Sequence, residues 1–213
     1  MNFFGHATVA AWAPDATPAF VLGAMLPDFA IMSGVRSLRA ASPGAVRGVA
    51  LHHATDGVFH AAAEFVELTT LVRERLDAAG VPHGAAWAAS HVGVELLIDG
   101  TLLADRRTCE LYAQALGDTG SHATCPRDTD GPRLVRFFDR MRGSGVPYGY
   151  ADPRFVAARV ERALAARPRL AVPASHFTAL ETVLTEVAEE IRERAATLID
   201  TVRRSLPPET LQP

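Results

Sequence analysis

Apolar residues recur along this chain at the three- and four-residue spacing of α-helices, and no alternating strand pattern persists anywhere. Two long helices are predicted, one from about Ala45 to Ala79 and one from about Gly84 to Leu116. They are separated by Gly80-Val81-Pro82, a connection short enough to require antiparallel packing. Ser42-Pro43 marks the entry to the first. Residues 117–132, rich in Gly, Asp, Thr and Pro, read as a loop. A short helix from Arg133 to Arg142 follows, then a Gly143–Pro147 turn and a helix from Asp152-Pro153 to Arg167. A final helix spans Ser175 to Ser205, with Ser175 as its N-cap and Pro207-Pro208 beyond its end. Residues 1–34 are apolar enough to predict a buried terminus, placing His6 and Asp28 inside the fold. Because Asp28 follows Pro27, a helix end or tight turn is expected there rather than a helix interior. No repeat is visible, and the expectation is an all-α, single-domain helical bundle over residues 1–213.

Composition narrows the class without naming a function. The 213 residues are 48% hydrophobic and 21% charged, with a net charge of −3, a globular balance that argues for neither nucleic-acid nor membrane binding. All 21 basic residues are Arg, so a Schiff-base lysine is excluded. Cys109 and Cys125 form no metal-ligand motif; free thiols in a reducing cytoplasm are expected. No charged segment followed by an apolar one marks a signal peptide, and no apolar run reaches membrane-spanning length.

The candidate chemistry lies on the two long helices. His52, His53, Asp56 and His60 fall within nine positions. At about 100° per residue, Asp56, His60 and His53 lie roughly 40°, 80° and 100° from His52, on one face. His91, Glu95 and Asp99 repeat the arrangement at i, i+4, i+8 on the second helix. Imidazole and carboxylate groups on two facing helices can hold one divalent ion. An ordinary wet boundary between amphipathic helices would account for any one of these residues, and Asp99, before Gly100, could simply face solvent. His83 and His122 read as solvated, and His176 as structural.

The opening Met1-Asn2-Phe3-x-x-His6, the segment Gly23 to Phe29, the helix segment Gly48 to Asp56 and two late segments at Arg167 and His176 together resemble the acyl carrier protein phosphodiesterase family, which is related to the HD-domain metal phosphohydrolases. Met1-Asn2-Phe3-x-x-His6 is similar to that family's opening. Gly23-Ala-Met-Leu26-Pro-Asp28-Phe29 is similar to its Gly-x-Leu-Leu-x-Asp-Phe segment, and Gly48-Val-x-x-His52-x-x-x-Asp56 to its Gly-Ile-x-x-His-x-x-x-Asp helix. Arg167-Pro168-Arg169-Leu170 and His176-Phe177-x-x-Leu180-Glu181 are similar to its late motifs. The resemblance implies an HD-domain-like helical fold, a bound divalent ion, and hydrolysis of the phosphodiester joining 4′-phosphopantetheine to a carrier-protein serine. It also implies His6, Asp28, His52 and Asp56 as metal-site residues. The chain departs from the family in having His60 in place of an aspartate, and His91-x-x-x-Glu95 in place of Asp-x-x-x-Asp-His. His91 thereby joins the expected metal ligands, with His60, Glu95 or Asp99 as the group that orients or deprotonates water. A site this rich in imidazole suits Mn, Fe or Zn better than Mg.

Arg133, Arg136 and Arg140, at i, i+3, i+7, could receive an acidic carrier protein, although Asp128, Asp130 and Asp139 dilute the row. A small phosphate ester is the other expected partner. Two further readings remain: a zinc-dependent phospholipase C-like hydrolase, and a non-catalytic helical protein that binds metal or a partner.

Overall fold

The computed structural model describes residues 1–211, most of which are in helices. Among the described residues the only strands are two-residue segments, β1 (Arg39–Ala40) and β2 (Ala123–Thr124), paired antiparallel. No helix is long and apolar enough to cross a membrane among these residues. The chain forms two compact units and passes between them more than once.

The first unit takes Met1–Val58, Leu103–Pro147 and the residues from Arg203 onward. It contains α1 (Phe3–Ala11), α2 (Pro18–Ser33), most of α3 (Pro43–Ala61), α6 (Arg106–Gly117), α7 (Thr119–His122) and α8 (Gly131–Ser144). The Thr17 side chain accepts from the Phe20 amide at 3.3 Å, Pro18 opens α2, and Gly34 closes it at φ 69°. Residues Phe20–Leu26 and Phe29 of α2 are buried, which makes this helix the axis of the unit's core. Phe3, Phe4, Phe29, Tyr112, Phe137 and Phe138 pack as linked ring pairs around it.

Helices α2 and α3 touch backbone to backbone. A Cβ on Gly48 would lie 2.2 Å from the Phe20 carbonyl oxygen, and one on Gly23 would lie 2.1 Å from that of Ala45. Only glycine permits this approach at both positions. Its consequence reaches the site one turn further along α3, at His52.

The second unit takes Phe59–Leu102 and Tyr148–Val202. It contains α4 (Ala63–Ala78), α5 (His83–Leu102), α9 (Pro153–Leu164) and most of α10 (Phe177–Ser205). Gly80 at φ 80° ends α4, with the Gly80 and Val81 amides donating to the Asp77 and Leu76 carbonyls. Helices α4 and α5 then pack as a hairpin, and α5 also packs on α9.

Several expected boundaries change. The helix expected over 45–79 is interrupted at Ala62, whose backbone is extended at φ −66°, ψ 133°. Residues six apart on a continuous helix lie about 120° apart around the axis, on different faces. The break instead brings Phe59 and Phe65 to 4.5 Å, with both side chains buried. The helix expected over 84–116 is split into α5 and α6. Asp105 caps α6 by accepting from the Arg107 amide at 3.0 Å and from the Thr108 hydroxyl. Pro27 lies inside α2, so Asp28 is in a helix interior and not at an end. A buried apolar face on both sides of Pro27 holds the helix together across it. Residues 117–132 contain α7, β2 and a 3-10 turn at Asp128–Asp130, not loop alone. Ser175 lies in the 3-10 turn Ala174–His176 that precedes α10, where its hydroxyl contacts His176 Nδ1 at 3.1 Å. Asp152 does cap α9, accepting from the Arg154 amide at 2.9 Å.

Candidate metal centre

Among the described residues, ligand-type side chains converge in two groups of three, each a pair of histidines and one carboxylate. The first lies within the first unit and consists of His6, His52 and Asp56. His6 comes from α1 and is almost wholly buried, as is His52 on α3. Their rings stack with centroids 3.8 Å apart. Asp56 is one turn beyond His52; its Oδ1 lies 3.1 Å from His6 Nε2 and its Oδ2 3.5 Å from His52 Nε2. The Met1 amino group is 3.3 Å from the same Oδ1.

The close crossing at Gly23 and Gly48 explains the orientation of His52. It brings His52 Nδ1 to 2.8 Å from the Ala24 carbonyl oxygen. A carbonyl oxygen can only accept, so Nδ1 carries the proton. Nε2 on the other side of the ring faces Asp56. A backbone carbonyl holding the far nitrogen is the arrangement that orients histidine ligands in metalloproteins. His6 adds a second feature of this kind. Although Nε2 is near Asp56 Oδ1, neither ring nitrogen makes an aligned hydrogen bond. The distance is short but the N–H direction misses the oxygen, so the contact is one of proximity and not a formed hydrogen bond.

Burial pushes the His6 pKa down to about 4, outweighing the opposing pull of the nearby Asp56 carboxylate, so the ring is neutral at pH 7. Burial would raise the Asp56 carboxyl, but His52, His6 and the Met1 amino group hold it far below the usual carboxylate range. One carboxylate and two imidazoles, with His6 neutral, fit a borderline-soft divalent ion. The buried, unsatisfied nitrogens of His6 favour the same conclusion.

The second group lies within the second unit. His60, at the end of α3, and His91, on α5, place their Nε2 atoms 3.0 and 3.2 Å from Glu95 Oε1. The two rings stack at 5.1 Å, Phe65 meets both edge-on, and Trp87 stacks on His91 at 6.1 Å. Burial would raise the Glu95 carboxyl, yet the hydrogen bonds from His60 and His91 help hold it well below its usual range.

The other expected site residues fare differently. His91 was expected among the ligands around His6, Asp28, His52 and Asp56; its ligand atoms converge with those of His60 and Glu95. Asp28 is half-buried on α2 and is not among the three residues of the first group. Asp99 is fully buried, so solvent does not account for it, and it belongs to neither group. His53 is exposed, its ring edge-on to His52 at 5.3 Å, and it belongs to neither group. Arg133, Arg136 and Arg140 are exposed on α8, where Asp139 pairs with Arg142. The aromatic wall of Phe65 and Trp87 was not anticipated. Trp87-x-x-x-His91 is an i, i+4 pair and could have signalled it, but Phe65 reaches the group only through the break at Ala62. Comparison with known proteins finds no matching family model, no matching curated protein and no matching solved structure.

Proposed function

We propose that this chain is a metal-dependent phosphodiesterase whose metal ligands include His6, His52 and Asp56. The observation that carries the reading is the His52 ring, fixed by the Ala24 carbonyl with Nε2 turned toward Asp56, beside a buried His6 whose nitrogens lack aligned partners. The family resemblance stated above supplies the reaction class. A divalent ion, Mn, Fe or Zn before Mg, would acidify water and offset charge on the phosphoryl oxygens.

The chain's own residues would then act as follows. Asp56 contributes the negative charge. His52 keeps a single tautomer because Nδ1 stays on Ala24. Within the second unit, His60, His91 and Glu95 form a ligand set of their own. Hydrolysis adds water across one P–O ester bond, the hydroxyl remaining on phosphorus and the proton leaving with the alcohol. An acidic carrier protein bearing a phosphopantetheine ester is the proposed substrate, with Arg133, Arg136 and Arg140 receiving its acidic surface.

Metal analysis paired with hydrolysis of bis(p-nitrophenyl) phosphate and of a phosphopantetheinylated carrier protein tests the proposal. Asp56→Ala should lose metal and at least about a hundredfold in turnover, a size typical of removing a group central to charge stabilisation. Its circular dichroism should stay helical. Full metal occupancy and activity in the mutant would remove Asp56 from the site. Wild-type protein that binds metal yet hydrolyses neither substrate would replace the enzyme with a metal-binding protein.

A further inference from the structure

Next to the first group, and sharing with it the stretch of α3 around His53, α2 and α3 line an open pocket of about 400 Å³. Leu26, Pro27 and Ala30 of α2 form one wall, and Val46, Val49 and His53, at i, i+3, i+7 on α3, form another. The segment joining the two helices closes it with Leu38 and Ala40 and contributes Arg36 and Arg39. All of these residues belong to the first unit. The lining is apolar except for two guanidinium groups and one imidazole, and it includes no carboxylate although the chain is net negative. Arg39 is held in place, its Nη1 donating to the Arg36 carbonyl at 2.9 Å and the Leu38 carbonyl at 2.8 Å. With five N–H donors on the fork, that anchoring leaves others to receive an anion.

A volume of this size falls in the range of small-ligand pockets, and its chemistry selects the ligand at both ends. Apolar walls favour a hydrocarbon body; the two arginines favour one anionic head through charge-assisted hydrogen bonds. We propose that this cavity binds a single-headed amphipathic anion, a compact or unbranched hydrocarbon carrying a carboxylate or phosphate. Neither group of metal ligands takes part, so the proposal stands or falls apart from the phosphodiesterase reading.

The test is calorimetric titration of the full chain with octyl phosphate, octanoate, octan-1-ol and octylamine, with and without chelator. Either anion should bind at one equivalent, and the ratio of their affinities identifies the preferred head. Octan-1-ol should bind about tenfold or more weakly, the scale of a lost charge-assisted hydrogen bond, and octylamine more weakly still. Arg36→Gln should weaken the anions about tenfold while leaving octan-1-ol unchanged. Val46→Trp should block all binding by filling the cavity; Val46 is 55% exposed, so the larger ring can be accommodated without unfolding. Binding of the anions should be the same in chelator and in Asp56→Asn. Equal affinity for all four probes, no effect of either cavity variant, or loss of binding on chelation would each overturn the proposal.

Discussion

Burial lowers the His6 pKa from the usual 6.5 to about 4 even with the Asp56 carboxylate 3.1 Å away. Between those values the unfolded chain takes up a proton that the native ring refuses. The unfolded state therefore binds more protons, and stability must fall as pH falls through this window. Above pH 6.5 both states are neutral at this residue and it contributes no slope. Across the window the loss amounts to about 3 kcal/mol at 1.36 kcal/mol per unit. Urea unfolding of the metal-free protein at pH 7 and pH 4.5 should reveal most of it, and His6→Phe should flatten the dependence. An unchanged slope in the variant would mean that His6 is not the buried neutral base described here. Glu95 acts in the same direction but at lower pH. Its depressed carboxyl adds stability above the ordinary carboxylate range that is lost as pH falls toward its folded value, so Glu95→Gln should alter only the acid limb.

Within α3 two glycines nine residues apart carry opposite expectations. Gly57 is exposed, and a Cβ there would meet nothing within 4 Å. Gly57→Ala should stabilise the protein by roughly 0.5–1 kcal/mol through helix propensity alone. Gly48 gains the same propensity, but its Cβ would lie 2.2 Å from a backbone carbonyl on α2. Separating the helices to make room should cost about 3 kcal/mol or more, at the upper end of overpacking penalties. The same shift would pull His52 off the Ala24 carbonyl, so Gly48→Ala should also lose metal affinity while Gly57→Ala keeps it. Chemical denaturation and metal titration of the two variants check both expectations. A Gly48→Ala protein as stable as wild type would contradict the close crossing.

At the scale of the molecule, the described residues gather two groups of ligand-type side chains, one within each compact unit, with α3 contributing to both, and on the proposal above each group would hold an ion of its own. Each group should therefore lose its ion separately. Metal analysis of protein reconstituted with excess Zn²⁺ or Mn²⁺ should give about two equivalents for wild type and about one for either Asp56→Ala or Glu95→Ala. The double variant should retain essentially none. A wild type saturating at one equivalent, lost in both single variants, would mean that the groups do not hold separate ions.

Local patterning determined much of this protein. The 3.6-residue recurrence of apolar positions specified an all-helical chain. Ser42-Pro43, Gly80-Val81-Pro82 and Asp152-Pro153 marked helix limits, because caps and prolines act on their immediate neighbours. His52 and Asp56 share a helix face by spacing alone. Asp105 carried a legible N-cap signal that the apolar continuity around it obscured. The rest depended on contacts between residues distant in sequence. The break at Ala62 serves the packing of Phe59 against Phe65, and Pro27 is tolerated inside α2 because buried apolar residues, Leu26 and Phe29, flank it. The choice of His52 over its neighbour His53 came from the Ala24 carbonyl, which the crossing of Gly23 and Gly48 brings within reach. His6 joined through the burial of α1, while Asp99, equally well spaced on its own helix, was directed elsewhere. Spacing fixes which side chains share a face; the partner that face meets is decided only when the helices pack.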